Sequence, residues 1–93
     1  MDPREPLLHA EPRVVLTEMN DGTGLLLHLG TKLYFTLNRT GVFVWKTVES
    51  QPRTRSALVS AMVERFDCSS EEVERDLSPL LDEMIGERLL RRA

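Results

Sequence analysis

The chain has 93 residues, a hydrophobic content of 41% and a formal net charge of −3 at pH 7. This length suits one small domain, and no apolar run approaches the roughly 20 residues that cross a bilayer, so we expect no membrane partner. Cys68 is the only cysteine, which excludes an internal disulfide and favours a reduced, cytoplasmic setting, while the negative charge disfavours polyanionic partners.

The first twelve residues contain three prolines, which discourage both helices and central strands. These are Pro3, Pro6 and Pro12. We therefore predict a flexible N-terminal arm over residues 1–12 and one folded domain over residues 13–93.

Three segments rich in β-forming residues follow, at 14–19, 25–29 and 32–37. The segment 20–24 contains Asn, Asp and two Gly, and Gly30-Thr31 is equally suited to a tight turn. Because short turns join consecutive strands, the pattern predicts an antiparallel three-stranded meander whose first and third strands are edges.

Three helices are predicted after the strands, each with a capping residue. Asn38 ends the third strand and is a good N-cap for a helix whose Trp45 packs against the sheet. Thr54 caps a second helix, which ends near Asp67-Cys68. Ser69 has capping-box spacing to Glu72 and opens a third helix, which Pro79 should bend. The fold class is therefore α+β: a three-stranded antiparallel sheet followed by three α-helices, as in a winged helix.

Side chains that carry catalysis or bind metals are scarce in the sequence. His9 and His28 are far apart, and no Cys or His pair has metal-ligand spacing. The sequence has no glycine-rich phosphate loop. We interpret His28 as a surface or half-buried strand residue and Cys68 as structural. We therefore expect no metal, no cofactor and no enzymatic activity.

A winged-helix nucleic-acid-binding module is an alternative from another functional class. Its third helix would have to approach phosphates, yet residues 69–88 contain seven acids and two bases, a net charge of −5. Phosphate neutralisation supplies most non-specific affinity for nucleic acids. The charge therefore disfavours nucleic acid as a partner, although the element order allows it.

A peptide-binding module is the third functional class. An edge strand has unpaired backbone groups, and an extended peptide can pair with them as an additional strand. Lys32 and Thr36 protect the predicted third strand only weakly. This strand is therefore the candidate binding edge, with the third helix as the opposite wall.

A specific spacing supports this interpretation: Leu-Asn-x-Thr-Gly, two residues, an aliphatic residue and Trp. The residues in this spacing are Leu37, Asn38, Thr40, Gly41, Val44 and Trp45. With them the chain resembles the PqqD-like family, the recognition elements for ribosomally made, post-translationally modified peptides (RiPPs). Further matches are Glu71, Glu72, Val73, Arg75, Asp76, Leu77 and the terminal Leu89-Leu90. The resemblance extends over 14–90, with departures at Pro79 and at Arg88, where the family usually has Gly.

The resemblance implies a specific function. Members of this family bind the leader segment of a precursor peptide on the third strand, in a cleft with the third helix, and present it to a separate maturation enzyme. The segment 30–35, which leads into the third strand, and Gly41 are more similar to the lasso-peptide group than to other members of the family. The partner of that group is a cysteine protease that removes the leader. The alternative partner is a radical-SAM enzyme, as in pyrroloquinoline quinone biosynthesis.

The candidate site residues lie on these two elements. The predicted backbone contacts are Lys32, Leu33, Tyr34, Phe35 and Thr36, and the predicted helix contacts are Asp76, Leu77, Leu80, Leu81, Glu83 and Met84. The apolar members of the second set have helical spacing, which fits either a groove or the core, and we expect at least half of them in the core. Asp76 and Glu83 share one flank of the helix, where they would favour a leader with basic or hydroxyl groups.

Overall fold

The computed structural model describes residues 5–93, which form six strands and three helices. In chain order these are β1 (Leu7–Ala10), β2 (Val14–Glu18), β3 (Gly24–His28), β4 (Tyr34–Leu37), α1 (Arg39–Ser50), β5 (Arg53–Thr54), α2 (Arg55–Phe66), α3 (Ser70–Gly86) and β6 (Leu90–Arg92). The mixed α+β class is confirmed, although the strands form two sheets.

The first of these sheets is the predicted meander, with the order β2–β3–β4 and antiparallel pairing throughout. Alternate residues face opposite sides. Val14, Leu26 and Leu37 are buried on the inner face, whereas Val15 and Leu27 are exposed on the outer face. One face of this sheet therefore covers the core, and the other is open.

The second sheet has the order β5–β1–β6, and the sequence did not predict it. Leu7 pairs with Thr54 of β5, and Ala10 pairs with Leu90 of β6. The prediction of a flexible arm over 1–12 is therefore wrong for Leu7–Ala10, and residues 1–4 lie outside the described residues. The physical reason is that the prolines at positions 6 and 12 flank β1 without interrupting its ladder, and Leu8 is buried in the core.

All three predicted caps are confirmed, and each satisfies a backbone donor of the first helical turn. Asn38 Oδ1 accepts a hydrogen bond from the Gly41 N–H at 2.8 Å. Thr54 Oγ1 accepts from the Ala57 N–H at 3.1 Å, and Ser69 Oγ accepts from the Glu72 N–H at 3.2 Å. α3 is helical through its internal proline, and the bend predicted there stays a prediction.

The end of α3 reverses the chain into β6. The Leu89 N–H donates to the Met84 carbonyl at 2.8 Å, and the Arg88 N–H donates to the Ile85 carbonyl at 3.1 Å. Arg88 has a φ of 61°, in the left-handed region. These bonds form a Schellman motif with arginine at the position where glycine is preferred. The reversal buries Leu89 and Leu90, as predicted.

The core lies between the two sheets and the three helices, and its largest fully buried side chain is Trp45 of α1. Leu26 of β3, Leu58 of α2 and Leu77 of α3 are also fully buried. The burial of the tryptophan confirms the predicted anchoring of α1. This core holds β4 at the margin of the meander.

Candidate functional site

The outer edge of β4 is the first feature of the site. Antiparallel pairs alternate between residues that bond to the neighbouring strand and residues whose backbone points away from it. The His28 N–H donates to the Leu33 carbonyl at 2.9 Å, and the register pairs Leu26 with Phe35. This alternation directs the backbone of Phe35 toward β3 and the N–H and C=O groups of Tyr34 and Thr36 away from it. We call these outward groups of Tyr34 and Thr36 the β4 edge.

Among the described residues, the N-terminal segment does not cover the β4 edge. Leu7–Ala10 pairs with β5 and β6 in the other sheet. The turn, loop and side-chain hydrogen bonds among residues 5–93 do not use the backbone of Tyr34 or Thr36. The edge therefore presents two donors and two acceptors at the two-residue spacing of an extended chain.

Two of the predicted backbone contacts, Lys32 and Leu33, precede the strand in the structure. The Lys32 N–H donates to the His28 carbonyl at 2.8 Å, and Lys32 has a φ of 68°. The Leu33 N–H donates to Thr31 Oγ1 at 3.3 Å, while its carbonyl accepts from His28. Both residues therefore belong to the turn before β4, where their N–H groups and the Leu33 carbonyl are already bonded, and the strand begins at Tyr34.

His28 organises that turn, a role that the sequence analysis missed. The side chain is 2% exposed, although we predicted a surface or half-buried residue. Its Nδ1 accepts hydrogen bonds from the Gly30 N–H at 3.0 Å and the Thr31 N–H at 3.2 Å. A ring nitrogen accepts only through its lone pair, so these two contacts engage the lone pair of Nδ1. The ring thus satisfies two turn donors immediately before the β4 edge.

Exposed apolar side chains surround the β4 edge. Tyr34 is 67% exposed and Leu33 is 54% exposed. On the outer face, Tyr34 lies beside Leu27, which lies beside Val15 on β2. These three side chains form a row across the sheet that ends at the β4 edge, next to the position of any added strand.

The third helix contributes fewer surface residues than predicted. Leu77, Leu81 and Met84 are at most 3% exposed and pack in the core, where we expected at least half of the apolar residues of this helix. Their contact with a peptide stays a prediction. Leu80 is half-buried, and Asp76 and Glu83 are exposed. At helical spacing, the exposed acids lie one turn before and one turn after Leu80. We call these three residues the α3 rim.

Two carboxyl groups away from the β4 edge have lowered pKa values. Hydrogen bonding from the Arg13 side chain lowers the pKa of Glu11, and hydrogen bonding from the Thr23 hydroxyl, at 2.6 Å, lowers that of Asp21. Within residues 5–93, no group of three His, Cys, Asp or Glu side chains is placed to hold a metal ion. No helix in the same range is long and apolar enough to cross a membrane.

Comparisons with known proteins identify the family and a similar fold. Residues 24–90 match the family described as Coenzyme PQQ synthesis protein D (PqqD). The fold is similar to a solved structure named "TbiB1 in Complex with the TbiA(beta) Leader Peptide", with a TM-score of 0.77 and 29% sequence identity. That similarity covers 89% of this chain and 94% of the other. No protein with a curated description matches the chain.

Proposed function

Because the chain belongs to the PqqD family, we propose that it binds the leader segment of a ribosomally made precursor peptide and presents that precursor to a separate maturation enzyme. The observation that carries the proposal is the β4 edge, with its outward donors and acceptors at Tyr34 and Thr36. The similarity to TbiB1, which was solved with a leader peptide, supports the same conclusion.

In the proposed complex the leader is an additional strand beside β4. Its backbone bonds to Tyr34 and Thr36, and each such bond contributes about 0.5–1.5 kcal/mol net. Alternate leader side chains lie on the outer face beside the exposed ring of Tyr34, and the others face the domain. Main-chain bonds thus provide affinity, and side-chain contacts provide sequence preference.

The α3 rim is the proposed second wall of this site. Its two carboxylates, on Asp76 and Glu83, flank the half-buried Leu80. A leader with one apolar side chain and basic or hydroxyl groups beside it is complementary to this arrangement. The chain itself contributes binding and no reaction, and the maturation enzyme supplies the chemistry.

Two kinds of maturation enzyme fit the proposal. A leader-removing cysteine protease of a lasso-peptide pathway is favoured by the turn sequence before β4 and by the similarity to TbiB1. A radical-SAM enzyme, with this chain as peptide chaperone, is the second candidate, because the matching family is described by its part in coenzyme PQQ synthesis. Direct binding to nucleic acid is disfavoured by the acids of α3.

Proline substitution tests the direction of the backbone groups. Tyr34→Pro removes one outward donor and should weaken binding of the TbiA(beta) leader, or of leaders encoded beside the gene, by about tenfold. Tyr34→Ala measures the part due to the side chain. Glu18→Pro removes an outward donor at the opposite edge of the same sheet and should leave leader affinity unchanged.

Calorimetric titration gives the affinities, after circular dichroism has shown that each variant is folded. Phe35→Pro removes a bond that is internal to the sheet, so we expect it to damage the fold. Equal affinities for a folded Tyr34→Pro variant and for Tyr34→Ala would refute strand addition at the β4 edge.

A further inference from the structure

A second surface lies at the end of the meander where β2 leads into β3. It is a cleft of about 910 Å³ between the β2–β3 turn, α1 and the C-terminal end of α2. Glu18 of β2, at one wall of the cleft, lies two strand spacings or roughly 10 Å from β4, since strands are about 4.8 Å apart. Arg39, at another wall, begins α1 directly after β4. Arg53 and Arg65 come from β5 and α2, outside the meander.

The cleft is positively charged on a chain that is negative as a whole. Four cationic side chains line it, against two carboxylates, whereas the net charge of the chain is −3. The cations are Arg39, Lys46, Arg53 and Arg65, and the carboxylates are Glu18 and Asp21. We call this surface the basic cleft. Its excess of two positive charges makes it complementary to an acidic ligand.

The pairing inside the basic cleft leaves this excess largely uncompensated. Lys46 forms an ion pair with Glu18 at 2.8 Å. Arg39 Nε donates to the Asp21 carbonyl oxygen at 2.7 Å, a bond that does not neutralise the guanidinium. Arg39, Arg53 and Arg65 form no ion pair with the described residues. A carboxylate entering the cleft would therefore meet guanidinium charges that no carboxylate of these residues already pairs with.

Aromatic side chains form the apolar part of the basic cleft. The rings of Phe43 and Phe66 meet edge to face, with centroids 5.3 Å apart. The Arg65 guanidinium lies 5.5 Å from the centroid of Phe66, which is 36% exposed. A polypeptide can use cations and an aromatic surface together, by placing carboxylates on either side of an apolar side chain.

We propose that the basic cleft docks an acidic segment of the maturation enzyme, in which carboxylates flank an apolar side chain. The identity of that partner rests on the proposed function, whereas the chemistry of the segment follows from the cleft alone. Simultaneous occupancy of the β4 edge and the basic cleft would hold a precursor beside the enzyme that modifies it. A nucleic acid fits less well, because the carboxylates of Glu18 and Asp21 repel phosphates.

The test uses a labelled synthetic peptide in which glutamates flank one phenylalanine, together with its glutamine counterpart. At low salt, fluorescence anisotropy should show binding of the glutamate peptide and at least tenfold weaker binding of the glutamine peptide. Arg53→Gln combined with Arg65→Gln should weaken binding by about three- to tenfold. Arg65→Gln alone is the second variant, because this side chain is exposed and its replacement should barely change stability.

The matched control is Arg75→Gln with Arg91→Gln, which makes the same charge change at exposed positions outside the cleft. It should leave binding unchanged. Equal binding of the two peptides, or unchanged binding by both cleft variants, overturns the proposal. Tighter binding of a single-stranded oligonucleotide, or self-association that the cleft variants abolish, also overturns it, because the occupant would then be different.

Titration of the same variants with the leader separates the two proposals. The cleft variants should bind leader with wild-type affinity, because Arg53 and Arg65 belong to β5 and α2 and not to the sheet that contains the β4 edge. If no leader binds but the glutamate peptide still does, the proposed function fails and the acidic specificity of the cleft stands. If leader binds and the glutamate peptide does not, only the cleft proposal fails.

Discussion

His28 connects one buried side chain to the geometry of the β4 edge. Its Nδ1 accepts from the Gly30 and Thr31 N–H groups, so the turn before β4 depends on an acceptor at that position. Asparagine places an oxygen at a similar distance from the backbone, whereas leucine has no acceptor. We expect His28→Asn to retain most leader affinity and His28→Leu to lose several-fold, with a stability loss of about 1–2 kcal/mol.

Leader titration and urea denaturation measure the two effects of the His28 variants separately. If His28 only stabilised the fold, leader affinity would fall in each variant only as far as the fraction of folded protein falls. Wild-type affinity in a folded His28→Leu variant would show that the turn does not position the edge. No sequence pattern indicates this role, because a histidine in an alternating strand has the same spacing whether its ring accepts hydrogen bonds or only packs.

Asp76 and Glu83 test the second wall of the proposed site. Both are exposed, so replacing them should barely change the melting temperature. If they contact basic groups of the leader, Asp76→Ala with Glu83→Ala should weaken binding by roughly two- to thirtyfold. Glu74→Ala removes an exposed acid from another face of α3 and is the control. Calorimetric titration that finds the double variant equal to Glu74→Ala would remove the α3 rim from the site.

The helix ends show which elements can be predicted from the sequence. Asn38, Thr54 and Ser69 begin their helices as expected, because an N-cap depends on residues only three positions apart. The strand before α1 was predicted to begin two residues too early, because its start depends on the turn at Lys32 and on the ring of His28. Apolar spacing also located one face of α3 without showing whether that face meets a peptide or the core.

The left-handed backbone conformation of Arg88, just after α3, affects the stability of the domain. Arg88 adopts a φ of 61°, which is strained for a residue with a side chain and favourable for glycine. Arg88→Gly should therefore raise the free energy of unfolding by about 1 kcal/mol. Glu87→Gly is the control: its φ of −90° relieves no such strain, so glycine should destabilise there. Denaturation curves in which both variants destabilise equally would contradict this account of the turn.

At the scale of the whole molecule, the second sheet is the feature that the sequence concealed. Its strands have two to four residues each, and they come from both ends of the chain and from the α1–α2 connection. No local periodicity reveals a strand this short, since its pairing is decided by tertiary contacts. The meander was predictable because its strands are consecutive and its turns are rich in glycine. The sheet that contains the β4 edge was thus predicted, and the sheet that ties the chain ends together was not.

This architecture predicts that the N-terminal segment is needed for folding and not for the β4 edge itself. Leu8 is 4% exposed on the central strand of the second sheet, and its neighbour Leu7 is 42% exposed on the same strand. Leu8→Ala should lower the free energy of unfolding by about 2–4 kcal/mol, and Leu7→Ala should lower it by under about 1 kcal/mol. Removal of residues 1–12 should destabilise the domain more than either substitution, because it deletes the strand that joins β5 to β6.

Urea denaturation measures these stabilities, and leader titration at a temperature where each variant is folded measures binding. Because β4 belongs to the other sheet, folded Leu8→Ala should bind leader with wild-type affinity. A domain of residues 13–93 as stable as the whole chain would show that β1 contributes little to the core. Weakened leader binding in a fully folded Leu8→Ala variant would instead mean that the two sheets are coupled, so that the N-terminal strand influences the edge where the leader pairs.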